Sequence, residues 1–204
     1  MINILRIKYK AVFPLLIFLM SLYIVEILLI WVCLFPSANI LFLLTQLIIV
    51  PISSFIIVYL FNDLLGERNT LFLHTYYKQK FIKIYILNIF IFAMPMLLVT
   101  IILAIQYSDF NGSAAFFLLF TELFLFSSLS LLLFVFIGDF SFIVTVFTLY
   151  ISVELATFGT YKNLYHIFIM SLHNNIDFTT TVNTTIFNLI LGILSCRILK
   201  ISIS

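Results

Sequence analysis

From Ala11 to Phe35 the chain carries a single charged side chain, Glu26. A helix of about 20 apolar residues crosses the roughly 30 Å hydrocarbon core of a bilayer, so this run is long enough to span one. Comparable runs recur, and the predicted spans are 11–35, 40–61, 84–106, 114–136, 141–158 and 184–199. Composition closes the alternative: 64% of the residues are hydrophobic and 9% charged. A soluble domain carries about 25% charged residues, and a soluble chain of this length has no interior large enough to hide so much apolar surface. Six spans leave no room in 204 residues for a soluble domain. The expected fold is all-α, a polytopic membrane protein forming a single transmembrane domain over 1–204.

The polar remainder sets the expected orientation. Residues 1–10 hold Arg6, Lys8 and Lys10 among apolar neighbours and read as an amphipathic lead-in at the headgroup level. The run after it is longer than the core of a signal peptide and has no small-residue cleavage site, so it reads as a retained first span. With the N-terminus inside, the inner segments hold Arg6, Lys8, Lys10, Arg68, Lys78, Lys80, Lys83, Arg197 and Lys200. The outer segments hold Lys162. That bias follows the positive-inside rule and predicts both termini inside. The basic residues are spread beside the spans and form no nucleic-acid patch.

Two polar segments interrupt the apolar chain at length. In 62–83, Asp63, Glu67, Thr70 and His74 recur at helical spacing, while Leu64, Leu71, Phe72 and Tyr76 fall largely elsewhere. This reads as a cytoplasmic amphipathic helix joining spans two and three, with a solvated connecting loop as the alternative. In 159–183, Leu164, Ile167, Phe168 and Leu172 form one apolar helical face too short to span, as expected of an outer re-entrant or interfacial helix. Tyr107 to Ser113 reads as a turn-rich loop and Gly138–Asp139 as a tight turn. Pro51 and Pro95 remove a backbone donor within spans and predict kinks, either for motion or for packing.

Three acids fall inside spans, Glu26, Glu122 and Glu154, all in the predicted outer half. A carboxylate at such depth costs about 2–3 kcal/mol on insertion scales and is paired, protonated or facing a cavity. No basic residue sits mid-span to pair with them. They either line a path for a cationic or amphipathic substrate or are neutral and bonded to nearby Ser, Thr or Tyr hydroxyls. Cys33 and Cys196 are expected near opposite faces, too far apart for a disulfide. No metal or catalytic site is expected: no H-E-x-x-H, G-x-S-x-G or paired-carboxylate motif occurs, and His166 and His173 are not at a metal-ligand spacing. No G-x-x-x-x-G-K-[ST] occurs either, so the chain is not expected to hydrolyse ATP in the P-loop manner.

The layout resembles the permease subunit of type-2 ABC exporters: a basic lead-in, two spans, an amphipathic cytoplasmic segment, three spans, an outer helical dip and a last span. Glu67-Arg68-Asn69-Thr70-Leu71 followed by Lys78, Lys80 and Lys83 is similar to that family's segment between spans two and three. Asn69 stands where Gly is common there, and the proline before the basic cluster is missing. The resemblance implies a coupling helix over Asp63 to Tyr77 that docks on a separate ATP-binding subunit through Asp63, Glu67, Arg68, Thr70, Leu71 and His74. It implies an interfacial elbow helix at 1–10 and an outer re-entrant element at 161–181 within the 159–183 segment. It further implies a dimer with a second permease copy or a sister chain, and ATP and Mg bound by the partner. Small members are similar to exporters of toxins, bacteriocins and other amphipathic peptides or lipid-like cargo, and to immunity pumps of bacterial plasma membranes. The alternative reading is a stand-alone membrane immunity or scaffold protein that needs no ATPase.

Overall fold

The structure, a computed structural model, describes residues 2–32, 37–65, 71–157 and 178–203, with side chains for 12–32, 37–61, 81–157 and 181–202. The described residues form helices and short turns. They are α1 (Ile2–Trp31), α2 (Ala38–Leu44), a π-helical segment (Thr45–Ile49), α3 (Val50–Leu65), α4 (Leu71–Gln106), α5 (Gly112–Ile137), α6 (Phe140–Thr157) and α7 (Phe178–Ile203). The π segment joins α2 to α3 in one rod. Six helical stretches are long and apolar enough to cross a bilayer: Val12–Trp31, Ala38–Phe61, Phe81–Gln106, Gly112–Ile137, Phe140–Thr157 and Thr181–Ser202.

The bundle is apolar outside and partly polar inside, the arrangement lipid favours and water does not. Ile105, Trp31, Phe136 and Phe13 are among the most exposed side chains, whereas Gln46, Glu122, Ser127, Ser128 and Asn188 are fully buried. In a bilayer the outer apolar residues meet acyl chains, while interior polar groups hold the helices to one another. Helix α5 is the central element: 67% of its span is buried, against 22% for α1, 17% for α6 and 22% for α7.

Packing around α5 is close. A Cβ added at Gly192 of α7 would stand 2.5 Å from the half-buried Phe124 ring, so the ring packs directly on the glycine. Tyr85 of α4 reaches between them, its hydroxyl 2.8 Å from Ser127 Oγ and beside Cys196 of α7. On the other side, Phe55, Phe126 and Phe147 tie α3, α5 and α6 together, with Phe126 and Phe147 centroids 4.3 Å apart.

The turns are built by local chemistry. Asn111 caps α5, accepting from the Ala114 N–H at 3.1 Å. Gly138 closes α5 at φ 74°, in the left-handed region that a glycine enters without steric cost. Asp139 then accepts from the Ser141 N–H at 2.8 Å and starts α6.

Several boundaries differ from the sequence reading. The lead-in does not stand apart from span one, for α1 is one helix from Ile2 to Trp31 and continues through Pro14. In the 62–83 stretch, the beginning continues α3 to Leu65 and the end belongs to α4 from Leu71, while the centre of the expected joining helix, 66–70, lies outside the described residues. Helix α7 starts at Phe178, six residues before the predicted 184. The outer helix expected at 161–173, and with it Lys162, lies outside the described residues, as does Cys33.

Candidate functional site

Glu26, Glu122 and Glu154 come from α1, α5 and α6, and all three are buried. At about 1.5 Å per residue they lie about 8, 15 and 5 Å from the ends of their helices that face the 107–111 turn. They therefore share one half of the bundle. What brings them into register is span two. The hydroxyl of Thr45 donates to Glu26 Oε1, and Nε2 of Gln46 donates to Glu122 Oε1 at 2.6 Å. Glu154 accepts from the Tyr150 hydroxyl one turn earlier on α6 and lies close enough to act electrostatically on Glu122. A polar seam thus runs from α1 through span two to α5, with Glu154 of α6 near it.

Thr45 and Gln46 open the π segment, and the cause of that segment is close by. The Val50 N–H reaches back five residues to the Thr45 carbonyl. The next residue, Pro51, has no N–H to offer, and its ring would crowd the carbonyl four residues back in a regular helix. One wide turn ahead of the proline relieves that clash, and such single π turns recur at functional sites. Sequence reasoning missed Thr45 and Gln46. The signal that could have found them is a polar pair within an apolar run, one turn before a proline.

The seam is not saturated. Glu26 Oε2, Gln46 Oε1 and Glu122 Oε2 are buried and make no hydrogen bond, as are the hydroxyls of Tyr23, Ser53 and Ser130. The Tyr23 hydroxyl faces Ser53 and Glu26 without reaching bonding geometry. All six are oxygens, and a buried carboxylate oxygen without a donor is costly. Glu26 Oε2, Gln46 Oε1 and Glu122 Oε2 can accept from a donor such as water or an ammonium group, while the three hydroxyls can donate as well as accept. Glu26 also borders an apolar niche of about 100 Å³ between α1 and span two, with Leu22, Leu29, Leu44 and Ile49.

The sequence-predicted acids are thus gathered into one seam. Two of them take hydroxyl donors and the third takes an amide. The predicted docking residues are less fully placed. Asp63 is on the last turn of α3, and Leu71 and His74 are on the first turns of α4, at the opposite end of the bundle from the 107–111 turn. Glu67, Arg68 and Thr70 lie outside the described residues. Among the described residues, no group of three or more His, Cys, Asp or Glu side chains is placed to hold a metal ion.

No family model matches the sequence, and neither a curated protein nor a solved structure matches the chain.

Proposed function

We propose that this chain is the permease subunit of an ATP-driven exporter in a bacterial plasma membrane. Its cargo on this reading is amphipathic, peptide-like or lipid-like and carries positive charge. Both termini and the 62–83 stretch face the cytoplasm, where a separate ATP-binding subunit docks on Asp63, Glu67, Arg68, Thr70, Leu71 and His74. Two permease chains, identical or sister, complete the assembly.

The observation that carries this reading is the seam itself: Glu26 and Glu122 are tied to span two by Thr45 and Gln46, each keeps an unpartnered buried oxygen, and a third buried carboxylate, Glu154, lies beside them. Intramembrane acids are expensive, and where they persist they mark a path for substrate, ion or proton. The end of the bundle opposite the acids carries Lys83, Arg197 and Lys200, the side that the positive-inside rule assigns to the cytoplasm.

The test is affinity purification of the full chain from native membranes in a mild detergent. A stoichiometric ATP-binding protein is expected, and it should be lost when Leu71→Asp is introduced. Its absence, with function intact after changes at Glu67 and Leu71, would sink the exporter reading in favour of a stand-alone immunity or scaffold protein.

A further inference from the structure

A second feature lies at the same end of the bundle as the acids, where spans two and three meet the turn at 107–111. Ser37, Asn39, Gln106, Tyr107, Asp109 and Phe110 border a cavity of about 310 Å³ between the start of span two and the turn after α4. That volume is at the lower end of the roughly 300–1,000 Å³ typical of small-ligand sites. The cavity is built, not a gap beside a loose loop. Phe110 is buried with its ring 5.9 Å from that of Phe42 on α2, the Phe110 N–H bonds the Tyr107 carbonyl at 3.1 Å, and the Asn111 cap fixes the far end of the turn.

Its chemistry is selective. Asp109 is exposed, and its carboxylate accepts from the neighbouring Ser108 hydroxyl at 3.4 Å, a long bond that leaves most of its accepting capacity unused. Tyr107 adds an aromatic ring and Asn39 and Gln106 add amides. A carboxylate beside an aromatic ring recognises an ammonium or guanidinium group, by charge and by attraction to the ring face. Among the residues with described side chains, the cations Lys83, Arg197 and Lys200 all stand at the other end of the bundle. The mouth is also aligned with the seam, since Thr45 follows Ala38 by two helical turns, about 10 Å along the same rod.

We propose that this cavity is the entry site for the cationic group of an amphiphile, an ammonium or guanidinium held by Asp109 and Tyr107. The group comes either from a soluble cationic peptide or from an aminolipid headgroup. As a step in transport the site rests on the export reading above, but binding is measured on this chain alone, so either idea can fail without the other.

The test uses the full chain in a neutral maltoside detergent and a fluorescein-labelled tetralysine amide, followed by fluorescence anisotropy. Asp109→Asn is expected to weaken binding about tenfold, the loss of one charge-assisted contact. Asp109→Glu should retain binding. Ser37→Trp, which fills the cavity and leaves the carboxylate in place, should abolish it. Asp139→Asn, at the opposite end, should leave it unchanged. Displacement of the probe by added phosphatidylethanolamine assigns the site to lipid headgroups, and lack of displacement assigns it to soluble cations. Equal binding by the wild type, Asp109→Asn and Ser37→Trp would overturn the proposal, as would an equal loss in Asp139→Asn.

Discussion

Gln46 and Glu122 meet at 2.6 Å in the centre of the bundle, an amide donor from span two on a fully buried carboxylate of α5. The residue before Gln46, Thr45, holds Glu26 of α1. Consecutive side chains of one π turn thus fix two acids on two other helices, so the pair couples three elements. Replacing Gln46 with Leu strands both oxygens of Glu122. The expected cost is about 2 kcal/mol, within the usual range for stranding a buried polar group. Adding Glu122→Met should recover most of that loss, because an apolar pair removes the stranded group. Thermal unfolding of the full chain in detergent, followed by circular dichroism as a double-mutant cycle, measures both. Losses that simply add would show that the two side chains are not coupled.

The six spans were legible because length and hydropathy alone decide whether a helix can cross lipid, and the acids were legible because they violate that rule. The Gly138–Asp139 division was legible from turn chemistry. The π segment was not, since a π turn differs from an α turn by one residue in hydrogen-bond register, and Pro51 announces a break in that register without saying whether it is a kink or a wide turn. Nor was the start of α7. The run Thr179 to Thr185 looks too polar for a span, yet Thr181 is buried within the helix. Threonine hydroxyls return hydrogen bonds to the preceding turn, as Thr148 does to the Val144 carbonyl at 2.7 Å, which makes such stretches acceptable in lipid. The continuity of α1 was hidden for a related reason: Arg6, Lys8 and Lys10 mark where the membrane surface lies, not where the helix breaks.

On the export reading, Glu122→Gln separates stability from transport. The glutamine keeps the size of the side chain and a carbonyl oxygen for the Gln46 amide, so the unfolding midpoint should move little. Export of, or resistance to, a cationic amphipathic peptide should fall at least several-fold, because a glutamine can neither ionise nor exchange a proton along the path. Unchanged export in cells with normal amounts of the variant would remove Glu122 from the path.

Two glycines are expected to fail for different reasons. Gly192→Ala puts a methyl 2.5 Å from the Phe124 ring, so the ring must move or the α5–α7 seam must open. Overpacking of this kind costs about 1–3 kcal/mol, and Gly192→Leu should prevent assembly altogether. Gly138→Ala meets no atom within 4 Å, so its cost of about 1 kcal/mol comes from the left-handed backbone alone. Phe124→Ala should therefore rescue Gly192→Ala in part and do nothing for Gly138→Ala. Detergent unfolding midpoints of the four variants check this, and a rescue of both glycine variants would refute the contact argument.

The orientation can be read with two cysteines. In a background with Cys33 and Cys196 replaced by serine, a cysteine at Asn69 lies in the stretch proposed to meet the ATPase, and one at Asp109 lies in the turn beside the mouth cavity. Those positions are at opposite ends of the bundle, because α4 runs from Leu71 to Gln106 between them. At about 1.5 Å per residue its 36 residues cover about 54 Å, more than the thickness of a bilayer. An impermeant maleimide applied to intact cells should label the cysteine at position 109 and spare the one at 69. Permeabilised cells should label both. The reverse pattern would place the acids and the mouth cavity on the cytoplasmic side and deny the 62–83 stretch its docking role. Labelling of both positions in intact cells would mean that α4 does not cross the membrane.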